Sequence, residues 1–248
     1  MLEILVTSSH DQWPSQGDGG IYETHKISYN GGMKNLIIIP ALIFSFIALP
    51  ALAIAEVSPL AGKVVALDAG HGGSDGGGAT GYCAGVPVAE ADVNLAVRTL
   101  LKAKIDADGG TGYEVAQLSS RSDRVADAEK ANSDVLISIH HNGSTNTTAN
   151  YTQSFVTQKN DKVLASFIHP KIVSALDLID KGIKSDGYGM TVYGSLPGVL
   201  TESFFITNES EACDFLGAQA HIQAEAQAMY DGLVAYFSQA SGGGRGRK

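Results

Sequence analysis

Four residues of this chain combine reactive side chains with positions at the ends or interiors of apolar segments: His71, Glu90, His140 and Glu202. His71 follows the apolar run Val64 to Leu67 and is wrapped by Gly70, Gly72 and Gly73 in "VVALDAGHGGSDGGG". Glycine tolerates positive φ and close approach, so such a loop can aim one side chain tightly. The segment has neither the lysine and Ser/Thr of a phosphate loop nor a GxGxxG, which leaves a turn with an incidental histidine or a metal ligand. His140 closes a second apolar run, "DVLISIH", where a capped strand end is the plain structural alternative. Strand alternation turns His141 to the opposite face, so both cannot enter one site from regular strand. His140 shares its face with Ser138. Glu90 opens a helix, where a carboxylate also complements the dipole. Glu202 lies inside "VLTESFFI", and a carboxylate buried there is costly unless paired or set beside a cation.

Two histidines and one glutamate at element ends make a three-ligand zinc site with an open fourth position, the pattern of catalytic zinc. A further carboxylate that is not a ligand then takes the proton from water acidified by the metal. The spacing is no compact motif such as HExxH, so pattern alone leaves the assignment open.

These residues must be held by alternating strands and helices. Strands are expected at 63–68, 113–118, 134–140, 154–158, 190–194 ("MTVYG") and 199–206. Helical spacing marks 91–105, with Val93, Val97, Leu101 and Ile105, and then 124–132. A further helix covers 162–179 with an interruption near Pro170, and one long helix covers 211–237. The stretch from the glycine loop to Pro87 reads as loose. This alternation predicts a single α/β domain with a mainly parallel central sheet flanked by helices. In such sheets ligands gather at the carboxyl ends of strands, where His71 and His140 fall.

The chain has 248 residues and a net charge of −9. "MKNLIIIPALIFSFIALPALA" begins at Met33 and has the layout of a secretory signal peptide ending in an A-x-A site. We therefore expect residues 1–32 to be an upstream extension, 33–55 a signal peptide, 56–240 a catalytic domain and 241–248 a flexible tail. From Glu56 onward 22 acidic residues face 15 basic ones, a net of −7. That balance argues against nucleic acid and against capture by anionic lipid. The expected product is exported, to a periplasm or the extracellular space, with no stable membrane anchor after cleavage. Its two cysteines, Cys83 and Cys213, then enter an oxidising compartment and pair, or remain as buried thiols.

Four stretches, "LDAGHGG", "EADVNLAV", "RVADAEKANSDVLISIHHNG" and "GVLTESFFITN", occur here in a familiar order. With them the chain resembles the zinc-dependent N-acetylmuramoyl-L-alanine amidases, bacterial cell-wall enzymes of daughter-cell separation and sporulation. The resemblance runs from about Val64 to Phe237. It implies that His71, Glu90 and His140 hold one zinc ion and that Glu202 is the catalytic glutamate. It also resolves His140 against His141, which stands where the family usually has a small residue and either touches substrate or does nothing. Asp68 reads as support for His71 or as a turn residue. The long stretch from Gly72 to Glu90 and the short one before Arg124, without the usual Thr-Arg-Asp, depart from the pattern.

The implied substrate is peptidoglycan, cleaved at the amide between the lactyl group of N-acetylmuramic acid and L-alanine, for wall remodelling or cell separation. Another zinc peptidoglycan hydrolase (a peptidase or deacetylase) and an inactive wall-binding protein are the alternatives. Intact ligands and an intact Glu202 count against the last. Some family members carry an extra helix before the catalytic glutamate that occludes the zinc until a partner moves it. Here ordinary elements fill Asn142 to Glu202, and "GSTNTTANY" is too polar for a plug helix. A monomer that needs no activator protein is expected.

Overall fold

The computed structural model describes residues 57–185 and 189–242. The expected extension and signal peptide, residues 1–55, and the end of the tail lie outside the described residues. Among those described, no helix is long and apolar enough to cross a membrane.

Among the described residues eight strands and five α-helices follow in order: β1 (Val64–Ala69), β2 (Thr80–Cys83), β3 (Val86–Ala89), α1 (Glu90–Ala107), β4 (Thr111–Glu114), α2 (Arg121–Lys130), β5 (Val135–Asn142), β6 (Tyr151–Phe155), α3 (Lys159–Leu176), β7 (Ile179–Lys184), β8 (Gly198–Phe205), α4 (Glu209–Leu216) and α5 (Ala220–Gly242). Six strands form one sheet in the order β4-β1-β5-β8-β6-β7. All neighbouring pairs are parallel except β6 with β8. The mainly parallel α/β sheet expected from the sequence is therefore present.

The central strands are apolar on both faces because both faces are covered. Val65 and Leu67 of β1 and Val135, Ile137 and Ile139 of β5 enter a large core with residues of α1, α3 and α5. The alternate residues Ala66 and Leu136 enter a smaller core with Val125 and Ala128 of α2. By the same alternation Asp68, Ser138 and His140 belong to the α2 side, and His141 to the α1/α5 side. The chain leaves β1 through α1 to β4 on one side, then returns through α2 to β5 on the other. That reversal opens a crevice at the carboxyl ends of β1 and β5, where α/β sheets bind ligands.

Several expectations need correction. "MTVYG" is no strand; Gly189–Val192 form a 3-10 turn. Gly189 and Gly194 have φ of 67° and 71°, which ends any extended run, and Met190 is buried in the α2-side core. The long final helix is two helices. α4 stops at Gly217, and the Asp214 carboxylate accepts hydrogen bonds from the amides of Ala220 and His221, capping α5. α5 itself runs to Gly242, inside the expected tail. α3 continues through Pro170 without interruption, with Ile168 and Ile172 fully buried on either side of it. The strand expected at 113–118 ends at Glu114, because the Asp127 carboxylate takes the Ala116 amide and Arg98 takes the Val115 carbonyl. β6 begins at Tyr151, three residues before its expected start. Two elements were not foreseen: β7, and the β2–β3 hairpin in the supposedly loose stretch.

Candidate active site

β1 delivers the chain to the crevice, and His71 itself adopts φ of 60°. A non-glycine residue in that region is strained and persists only when its surroundings hold it there. Arg124 of α2 does this holding. Its guanidinium donates to the carbonyls of His71 (2.9 Å), Ala69 (3.0 Å) and Leu118. It also pairs with Asp68 at 2.9 Å, whose other oxygen accepts from Ser138 Oγ at 2.7 Å. Asp68 thus supports His71 through Arg124, not through the imidazole. The ring is instead faced by Asp75, whose Oδ2 lies 3.2 Å from Nδ1.

Glu90 arrives from the unforeseen hairpin as the first residue of α1. Its Oε2 accepts the Ala79 amide at 2.9 Å, and its Oε1 lies 2.9 Å from His140 Nδ1 and 3.4 Å from His71 Nε2. The three residues offer ligand atoms that all lie within 4.8 Å of one another. Two glycines make this convergence possible. A Cβ on Gly70 would stand 2.2 Å from the His140 ring, and one on Gly78 would stand 2.5 Å from Glu90 Oε2. The glycine-rich loop is therefore required by its close approach to the side chains of His140 and Glu90.

Glu202 of β8 is the register partner of His140 on β5. It is 8% exposed, and its Oε2 has no hydrogen-bond partner. Burial pushes its pKa up to about 7, against the opposing pull of His140. For Glu90, burial also favours the neutral form, but hydrogen bonds from His140 and His71 outweigh it and hold the carboxyl well below its usual range. The hydrogen bond to Glu90 raises the pKa of His71. For His140, burial opposes the charged form, yet the Glu90 hydrogen bond and the nearby carboxylates raise its pKa.

A cavity of about 700 Å³ opens over these four side chains, rimmed by Thr80, Asn142, Ser144, Thr145 and Thr207 and by Arg121 of α2. Hydroxyl and amide groups of this kind suit a ligand rich in hydrogen-bonding groups. His141 does not reach this rim with its side chain. It is 1% exposed, between Asn94 and Glu225 behind the sheet. The buried ring is therefore not placed to touch substrate, the first of the two readings of His141. The part played by Arg124 was also missed, although it lies inside a quoted motif; a buried arginine is legible only once its acceptors are placed. Asn94 and Glu225 carried no sequence signal beyond falling on helices.

Comparison with known proteins places these features in context. A family model described as N-acetylmuramoyl-L-alanine amidase matches residues 65–235. The chain is 36% identical over 192 residues to the uncharacterised protein YqiI of Bacillus subtilis (strain 168), covering 73% of this chain and 88% of YqiI. It is 31% identical over 187 residues to the N-acetylmuramoyl-L-alanine amidase LytC of the same organism, covering 73% of this chain but only 36% of LytC. The catalytic domain of CwlV, an N-acetylmuramoyl-L-alanine amidase from Bacillus (Paenibacillus) polymyxa var. colistinus, superposes with a TM-score of 0.64. Identity there is 26%, over 71% of this chain and 98% of that domain. With a match spanning the sheet, the crevice and both flanking helical layers, this chain belongs to the N-acetylmuramoyl-L-alanine amidase family.

Proposed function

We propose that this chain hydrolyses the amide between N-acetylmuramic acid and L-alanine in peptidoglycan, using one zinc ion held by His71, Glu90 and His140 and a proton carried by Glu202. The observation that carries this reading is the convergence of two imidazoles and one carboxylate beside a buried, unpartnered Glu202 oxygen. Two nitrogens and one carboxylate oxygen are a donor set that fits zinc and leaves a position for water or substrate. A bound zinc supplies Lewis-acid chemistry, which acidifies water and polarises an amide carbonyl.

The protein's own residues do the rest. Asp75 on Nδ1 keeps Nε2 of His71 turned into the cluster, the usual role of a carboxylate behind a ligating histidine. Ala79 N–H fixes one oxygen of Glu90 so that the other faces the histidines. Glu202 Oε2 accepts the proton of the attacking water and returns it to the departing amine nitrogen as the C–N bond breaks. In the metal-free chain burial already raises its pKa to about 7, which shows how readily this carboxylate takes up a proton. Export through a signal peptide at residues 33–55, with the mature protein starting at Glu56, accords with a wall substrate. So does a monomer whose open cavity admits substrate without an activator protein.

Metal analysis of the purified chain tests the ligand assignment. One zinc per chain is expected, with amidase activity lost to a chelator and restored by zinc. His71→Ala or His140→Ala should lower metal content; stoichiometric zinc in either variant would remove that residue from the ligand set.

A further inference from the structure

Behind the sheet a second group of buried polar side chains, of which only His141 also borders the cavity, is joined to the candidate ligands. Asn94, His141, Ser203 and Glu225 are each 1% exposed or less. Glu225 of α5 accepts from Ser203 Oγ through one oxygen and lies 2.9 Å from His141 Nε2 through the other. His141 Nδ1 is 2.7 Å from Asn94 Oδ1. Asn94 Nδ2 in turn donates to the Gly70 carbonyl at 2.9 Å and approaches Glu90 Oε1 at 3.4 Å. The backbone amide of His141 also points at Glu90 Oε1, at 3.3 Å.

The donors and acceptors in this chain run in one direction. A carboxamide oxygen only accepts, so His141 Nδ1 must carry hydrogen. Glu225 holds the ring from the other side whichever of the two bears the remaining proton. With Asn94 Oδ1 engaged by His141, its nitrogen is turned toward Gly70 and Glu90. A flipped amide would set oxygen against the Gly70 carbonyl and against the Glu90 carboxylate. Stability alone does not account for this arrangement, since a buried ionisable pair is commonly no more stabilising than apolar residues of similar volume.

We infer that His141 and Glu225 are positioning residues for the metal site, which they serve by fixing the Asn94 amide that steadies Glu90 and the Gly70–His71 turn. The inference rests on the reading of His71, Glu90 and His140 as ligands. It assigns to α5, far from the crevice in sequence, a part in setting metal affinity.

The test measures the zinc dissociation constant of the purified chain by competition with a chromophoric chelator, alongside the melting temperature of the metal-free protein. In His141→Leu/Glu225→Leu the pair is replaced by apolar side chains, which leaves Ser203 Oγ and Asn94 Oδ1 without these partners, so the melting temperature should fall while the chain still folds. Zinc affinity should fall about 10- to 100-fold, the range seen when groups behind metal ligands are removed. Glu225→Gln still holds the ring and accepts from Ser203, so its affinity should stay within about threefold of wild type. If the leucine pair does not fold, His141→Phe/Glu225→Gln keeps the ring packed on Phe204 and carries the same expected loss. Wild-type affinity in the folded double variant would overturn the inference, whatever its melting temperature. A wild-type chain that binds no zinc would overturn the proposed function and this inference together.

Discussion

Glu202 is the residue whose environment departs furthest from what its chemistry prefers. It is buried, it lacks a partner for Oε2, and its folded pKa of about 7 lies above the 4.5 of a free glutamate. The folded chain therefore binds this proton more tightly than the unfolded chain. Stability from the group is complete below about pH 4.5 and is lost as pH rises through 7, by roughly 3 kcal/mol in all. Glu202→Gln should raise the melting temperature of the metal-free chain at pH 8 and leave it nearly unchanged at pH 4.5. The same variant should keep zinc and lose about 10²–10⁴-fold in turnover, the usual worth of a general base. A lower melting temperature at pH 8, or near-native turnover, would contradict the role. Arg124 is the second residue on which the site depends. Its planar fork meets four acceptors, and a lysine cannot span them. Arg124→Lys should therefore lower both melting temperature and zinc affinity, measured by thermal unfolding and chelator competition, while unchanged zinc affinity would limit Arg124 to a structural role.

At the scale of elements, the hairpin β2–β3 matters because it delivers Ala79 and Glu90 to the site. Its tip is joined to α4 by a disulfide between Cys83 and Cys213, one of the two alternatives drawn from the cysteine count. The bridge closes a loop of 130 residues, for which chain entropy gives a stabilisation of about 5 kcal/mol. Unreduced protein unfolded in denaturant should show no titratable thiol, and Cys83→Ser/Cys213→Ser should melt at a lower temperature; two free thiols would exclude the bridge. The strands β1, β5 and β8 were legible because burial on both faces leaves continuous apolar runs. The hairpin was not, because Thr80–Ala89 is short, glycine-flanked and exposed at Tyr82 and Val86, so no periodicity marks it. β7 was hidden for a related reason. Its run "IDKGIK" is an exposed, charged edge strand, and its first apolar residues continue the spacing of α3. "MTVYG" misled in the opposite sense, since the left-handed glycines Gly189 and Gly194 fold these β-prone side chains into a turn around buried Met190.

For the whole molecule, the reversal of the chain at β1 places α1 and α2 on opposite faces and leaves the crevice between them. His71, Glu90, His140 and Glu202 were readable one by one as polar residues at element ends. Their convergence depends on parallel pairing of β1, β5 and β8, which periodicity does not encode. The support beneath them was hidden for the same reason: Arg124, Asn94 and Glu225 sit on helices whose sides are decided only by that topology. The cavity rim carries no helix between β5 and β6 among the described residues, and α3 packs on the opposite face with α5. The bond that is cut distinguishes an amidase from the other wall hydrolases. Purified chain from Glu56 onward, loaded with zinc and with no other protein added, is incubated with isolated peptidoglycan and the products are identified by mass spectrometry. Stem peptides with a free L-alanine amino terminus and glycan strands stripped of peptide are the expected products. Cleavage within the stem peptide, loss of acetyl groups, or no product without an added activator would contradict the proposed function.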